Sequence, residues 1–173
     1  MTKHHINGAW TVGAREGVLQ AVIDNYKFES MREGSHQIAH LLDDTLSLLT
    51  TDTIVTHVPT VPAHIRQRSF DHAALLAYRF AKCRKMTHAS LLSRVRYASQ
   101  HELSRAARLE AARYTFIPLR QNIDSPVLLI DDIFTTGATV QACVEQLRGA
   151  GAPKIYVAIV ARQIPDHKKE PTR

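Results

Sequence analysis

Two adjacent acids stand where an apolar run gives way to a hydroxyl-rich loop. Residues 127–139 read Val-Leu-Leu-Ile-Asp-Asp-Ile-Phe-Thr-Thr-Gly-Ala-Thr. The apolar run has the character of a strand buried on both faces. A helical pattern follows it, with Val140, Cys143, Val144 and Leu147 on one side. At the carboxyl end of a parallel strand, this order sets two carboxylates and a helix N-terminus in one crevice, where open α/β sheets bind ligands. A helix start offers free N–H groups and the positive end of a dipole, which suit a phosphate. Gly137 lets the backbone approach closely. Thr135, Thr136 and Thr139 add hydroxyls. A ligand that satisfies acids and anion site together carries vicinal hydroxyls and a phosphate, as a ribose 5-phosphate does.

Other readings of the segment are weaker. An Asp pair at a strand end also occurs in nucleotide hydrolases, but no glycine here is followed by lysine, so no phosphate-binding P-loop accompanies it. No G-x-G-x-x-G is present. A purely structural turn is the remaining alternative, since Thr and Asp cap helices routinely.

The segment resembles the thirteen-residue phosphoribosyl pyrophosphate (PRPP) motif of type I phosphoribosyltransferases at every position of its pattern. The resemblance implies ribose contact for Asp131 and Asp132, and 5-phosphate contact for Thr135, Thr136, Gly137, Ala138 and Thr139. Further pieces resemble the ComF-like subgroup: Val58-Pro59, then Arg66-Gln67-Arg68-Ser69-Phe70-Asp71-His72, then Leu103-Ser104-Arg105-Ala106-Ala107-Arg108, with Lys27-Phe28 near the start. Ser69, Asp71 and His72 stand where that subgroup carries Gly, Asn and Gln, and its N-terminal cysteine ribbon is absent. The resemblance implies that Arg66 and Arg68 bind pyrophosphate and that Arg94, Arg96, Arg105 and Arg108 lie in a mobile hood, Arg105 with a part in catalysis. It also implies Mg²⁺, held mainly through PRPP itself, with no metal site of the protein's own.

The elements that must position these residues follow from patterning. Residues 1–15 are weakly patterned and read as a poorly ordered lead-in, 16–163 as one domain and 164–173 as a polar basic tail. Val18, Val22 and Tyr26 are spaced for a helix face. Ser35 can cap a second helix with the stripe Ile38, Leu41, Leu42, Thr45, Leu46 and Leu49. Thr53 to Val58 is β-rich and stops at Pro59. A loop runs from there to about Phe70. Asp71 can cap a helix with Ala73, Leu76, Ala77, Phe80 and Cys83 on its apolar face. Leu91-Leu92 reads as a short strand, Leu103 to Arg113 as helical and Tyr114 to Ile117 as a strand. Lys154 to Ala161 is a further strand, after a helix stop at Gly149 and Gly151. Strands alternating with helices predict an α/β fold with a mainly parallel sheet flanked by helices, a single domain with a flexible hood.

Composition narrows the class. The chain has 173 residues, 45% hydrophobic and 22% charged, enough for one globular core. No apolar run reaches the roughly 18 residues of a membrane span, and no secretory signal opens the chain, so the expected location is cytoplasmic. Cys83 and Cys143 cannot frame a disulfide network and read as buried thiols. His36 and His40 are spaced i,i+4, but no third metal ligand accompanies them. The net charge of +6 suits a phosphorylated small molecule and allows nucleic acid without demanding it. The expected activity is transfer of ribose 5-phosphate from PRPP to a nitrogen acceptor with release of pyrophosphate. The competing class is a non-catalytic PRPP or nucleotide binder in a nucleic-acid process such as DNA uptake. A homodimer is compatible with either.

Overall fold

The computed structural model describes residues 6–28, 33–68, 70–95 and 115–163. Its centre is a five-stranded, wholly parallel sheet in the order β1-β7-β6-β2-β3. The strands are β1 (Gly8–Ala14), β2 (Ile54–His57), β3 (Thr87–His88), β6 (Val127–Phe134) and β7 (Ile155–Arg162). A separate antiparallel ribbon pairs β4 (Leu92–Arg94) with β5 (Phe116–Pro118). Helices α1 (Gly17–Phe28), α2 (Gly34–Thr45) and α4 (His72–Cys83) cover one face of the sheet. Helix α5 (Ala138–Gly149) and the ribbon cover the other. The α/β class and the parallel sheet expected from the alternating pattern are therefore what the chain forms.

Each face has its own core. Ile23, Tyr26, Ile38, Leu42, Leu76 and Phe80 meet Val55, Leu128 and Ile130 on the first. Val140, Cys143, Val144 and Leu147 meet Val127, Leu129 and Ile155 on the second. Val127, Leu128, Leu129 and Ile130 are all fully buried, as a central parallel strand requires.

Alternation along the strands slips once, at a shared level. Leu128 and Ile130 pack toward α4, and Leu129 packs toward α5. Beyond the two acids the phase is reversed: Ile133 packs on the α4 side and Phe134 on the α5 side. In β7, Val160 and Ala161 both face the α4 side. In β1, Val12 packs on that same side, and a Cβ on Gly13 would meet Leu19 of α1. The register offset is unchanged across the slip, Asp131↔Ile159 before it and Ile133↔Ala161 after. The three strands therefore shift together, unlike a bulge, which adds a residue to one strand of a pair.

Several expectations are corrected. The lead-in is not unstructured over residues 8–14, because Gly8–Ala14 pairs with β7 as an edge strand. The expected loop before Phe70 contains helix α3 (Pro62–Arg68); a proline at a first helical position starts a helix rather than breaking it. Ser35 is not a cap: Glu33 occupies that position and Ser35 is buried within the first turn of α2. Of the expected α1 face, Tyr26 is buried and Val22 packs against the core, but Val18 is 81% exposed and Ile23 is the other buried residue. Cys143 is buried as expected, but Cys83 is exposed. Residues 1–5, 96–114 and 164–173 lie outside the described residues, and with them the expected hood helix, the tail and Arg105. Among the described residues no helix is long and apolar enough to cross a membrane.

Candidate functional site

The carboxyl end of β6 carries Asp131 and Asp132, both half-buried. The backbone N–H of Asp132 donates to Asp131 Oδ1 at 2.9 Å, which holds the first carboxylate against the strand end. The two carboxylates sit in different surroundings. Asp131 acts on the Cys143 thiol of α5; burial first, then this charge, pushes the thiol well above its usual range, with Arg94 opposing. Asp132 acts on the Tyr26 hydroxyl of α1; burial first, then Asp132 and Asp71, raises that phenol beyond its ordinary range. Each acid thus addresses one side of the sheet, which lessens their mutual repulsion.

Thr135–Gly137 form the bend between β6 and α5. Gly137 is the N-cap residue at φ +79° and supplies no side-chain cap. A Cβ there would lie 2.7 Å from Phe134 Cζ, so both the backbone angle and the packed ring require glycine. Its carbonyl accepts the first helical bond from Gln141 at 2.8 Å. The Thr136 hydroxyl accepts from the Ala138 N–H at 3.5 Å, and Thr135, Thr136 and Thr139 are all exposed around this helix start.

Opposite lies the segment after β2. Thr60 donates its hydroxyl to Asp71 Oδ1 at 2.9 Å, and the same oxygen accepts from the Ala74 N–H at 3.1 Å. Asp71 thus caps α4, as its position predicted, and also pins the β2 loop. Next to it His72 donates from Nε2 to the Tyr26 carbonyl at 3.1 Å, while the Tyr26 hydroxyl donates to the His72 carbonyl at 2.8 Å. Because a carbonyl only accepts, this pair fixes the imidazole tautomer. Phe70 stacks on the ring at 4.1 Å.

Between these walls is a crevice of about 280 Å³, lined among others by Val58, Thr60, His72, Arg94, Asp131, Asp132 and Thr139. It brings together both acids and one end of the threonine loop. Arg66 is exposed on α3 and is not among the residues lining the crevice; the side chain of Arg68 lies outside the described residues. Thr60 and His72 were not singled out as site residues. Arg94 was grouped with the hood arginines, and only the pairing of the ribbon could have distinguished it. Among the described residues no three His, Cys, Asp or Glu side chains converge as a metal cluster.

No protein-family profile matches this sequence, and no curated protein does. Solved structures do. The glutamine phosphoribosylpyrophosphate amidotransferase of B. subtilis, complexed with ADP and GMP, superimposes on 79% of this chain with a TM-score of 0.57 and 20% identity. This chain has the type I phosphoribosyltransferase fold. A structure of the allosteric regulatory enzyme of purine biosynthesis matches with the same TM-score, coverage and identity. The chain spans 30% of the length of each of these larger proteins.

Proposed function

We propose that this chain binds PRPP in the crevice and transfers its ribose 5-phosphate to a nitrogen acceptor, as a ComF-like phosphoribosyltransferase. The observation that carries the reading is the joining, in one crevice, of a half-buried carboxylate pair and Thr139 of the first turn of the glycine-initiated helix α5. Asp131 and Asp132 accept hydrogen bonds from the ribose hydroxyls. The loop Thr135 to Thr139 holds the 5-phosphate through its amides and hydroxyls, with the helix dipole favouring the anion. The β2 loop, pinned by Asp71, forms the wall for pyrophosphate. Arg66 and Arg68 of α3 add positive charge for pyrophosphate, and Arg105 takes part in catalysis.

Mg²⁺ fits this donor set. It binds hard oxygens, keeps several waters and is usually held by one or two carboxylates plus ligand phosphates. Asp131 and Asp132 are the residues that would hold it, directly or through water. When bound, it supplies positive charge to the departing pyrophosphate. The chain's own residues orient the ribose and fix its phosphate.

Calorimetry with PRPP and Mg²⁺ tests the reading. Asp131→Asn and Asp132→Asn should each weaken binding by about tenfold or more, since a hydrogen bond to a charged group contributes about 1.5–3 kcal/mol. The apo thermal midpoint should move little. Undiminished PRPP binding in both variants sinks the assignment. Pyrophosphate release in a panel of amines and nucleobases then identifies the acceptor.

A further inference from the structure

The open edge of the sheet carries a second cluster of polar groups, away from the crevice. Strand β3 has β2 on one side and no strand on the other among the described residues. At this edge, between the end of α4 and β3, lies a cavity of about 440 Å³, lined by Tyr78, Ala81, Lys82, Lys85, Met86 and His88. Helix α4 starts at His72, in the wall of the crevice, and ends at Cys83. At a rise of about 1.5 Å per residue, its last turn is roughly 15 Å along from that wall. The two spaces share no lining residue.

The lining of the edge cavity holds two ammonium groups and no carboxylate. Among the described residues neither lysine forms an ion pair. Lys82 Nζ stands 5.7 Å from the centroid of the Tyr78 ring, one turn earlier on α4, which limits where that ammonium can go. His88 meets the same ring edge to face, with centroids 6.0 Å apart. Burial pushes the His88 pKa below its usual range, so the imidazole adds a polar edge without charge. Its Nε2 has no hydrogen-bond partner among the described residues.

Lys85 occupies a position that favours glycine. It stands just past the helix at φ +55°. The Lys85 N–H donates to the Lys82 carbonyl at 3.3 Å and the Met86 N–H to the Ala81 carbonyl at 2.8 Å, the paired bonds of a helix stop with a left-handed turning residue. Glycine adopts that conformation readily, whereas a lysine there brings a second ammonium to the cavity. Arg84 fixes the turn between the lysines. Its guanidinium donates to Asp43 Oδ1, to the Asp43 and Leu46 carbonyls at 2.8 and 2.9 Å, and to the Ser47 carbonyl at 2.8 Å. That fork is spent in tying α4 to the end of α2. The lysines therefore project from a fixed frame with their own charges uncommitted.

We propose that this cavity is a binding site for a small phosphate monoester, its phosphate between Lys82 and Lys85 and its organic part on Tyr78 and Met86. Ammonium groups without acid partners select an anionic head, and the ring and thioether offer an apolar seat beside it. The volume is that of a small-molecule pocket. A nucleic-acid backbone calls for charge continued along a track, and the arginine between these lysines is already committed. The inference does not depend on the PRPP reading of the crevice.

Phenyl phosphate is titrated into the isotope-labelled intact chain and followed by backbone amide signals. Those of Tyr78, Lys82, Lys85, Met86 and His88 should move and saturate, while ligand entering the crevice reads separately at Thr135 to Thr139. Lys82→Gln and Lys85→Gln should each weaken binding at the edge by about two- to fivefold, and the double variant by about tenfold, on the scale of exposed ion pairs. Lys154→Gln, an equal loss of charge elsewhere on the surface, should leave it unchanged. Tyr78→Leu should weaken phenyl phosphate and leave inorganic phosphate as it was. Lys85→Gly should bind as poorly as Lys85→Gln with a thermal midpoint no lower than the parent's, because glycine suits the turn. That combination separates a ligand role from a structural one. Absence of saturable movement at these residues overturns the proposal, and so does equal binding by the parent and the double variant. Inorganic phosphate binding as tightly as phenyl phosphate overturns the seat for the organic part. A single-stranded oligonucleotide that moves the same signals at lower concentration overturns the small-molecule reading in favour of nucleic acid.

Discussion

Gly137→Ala is the sharpest perturbation of the site that leaves every polar group in place. Its first cost is conformational. At φ +79° an L-residue carries a penalty of about 1–2 kcal/mol. Its second cost is steric. The new Cβ would lie 2.7 and 2.9 Å from Phe134 Cζ and Cε2, so the ring must move. Overpacking in a core costs about 1–3 kcal/mol. Here an apolar cavity of about 210 Å³ adjoins the ring, between Trp10, Val140, Val157 and Ile159, and keeps that figure near the low end. The sum is about 2–3 kcal/mol. At about 2–4 °C per kcal/mol for a chain of this length, the apo midpoint should fall by about 4–12 °C. Adding Phe134→Leu should return the steric part and not the backbone part, so a double-mutant cycle should show a coupling of about 1 kcal/mol. The ligand effect is separate. PRPP with Mg²⁺ at a hundredfold excess over Kd should stabilise the parent by about 2.7 kcal/mol. With the loop amides misdirected, the alanine variant should keep less than half of that. Differential scanning calorimetry with and without ligand reads both quantities. A variant with the parent's midpoint and the parent's ligand shift refutes the argument that this backbone conformation builds the phosphate site.

Two further outcomes follow from buried groups. His57 is held neutral, its pKa pushed below the usual range by burial and by neighbouring His88, against the opposing pull of Asp71. The unfolded chain therefore binds more protons below about pH 6.5, so stability should be full above that pH and fall as pH drops through the lowered folded value; His57→Gln should flatten that slope in midpoint measurements between pH 5 and 7. Cys143 is buried with its thiol pKa raised, whereas Cys83 is exposed. A thiol reagent should label Cys83 alone in the native protein, and mass spectrometry showing Cys143 modified before unfolding contradicts the burial of α5.

The pattern along the chain carried the strand-to-helix segment well, because a fully buried strand and a glycine-started helix each leave a strong local signature. Asp71 as a cap was legible for the same reason. What escaped depends on partners distant in sequence. Strand β1, Gly-Ala-Trp-Thr-Val-Gly-Ala, has little period-two signal, and only pairing with β7 makes it a strand. Ser35 has the chemistry of a cap, yet the helix begins one residue earlier. Cys83 lies on the apolar spacing of α4 but is the last residue of that helix and is exposed. Arg94 is one arginine in a basic stretch until the ribbon sets it opposite Phe116. The hydroxyl of Thr60 gains its role only through Asp71, eleven residues on.

The common slip in β1, β6 and β7 constrains what the sequence can tolerate. Because all three strands reverse their facing at one level, none can gain or lose a residue there alone without turning its later side chains inside out relative to its neighbours. Deleting Val160, for example, would leave Ala161 on the α4 side but move Arg162 from its place opposite Phe134 to one opposite Ile133. The rim beyond the slip, where the threonine loop begins, is thus phase-locked across segments separated by more than a hundred residues of chain. Length variation in this molecule should be accommodated in its connections, and redesign of the rim has to treat the three strands as one unit.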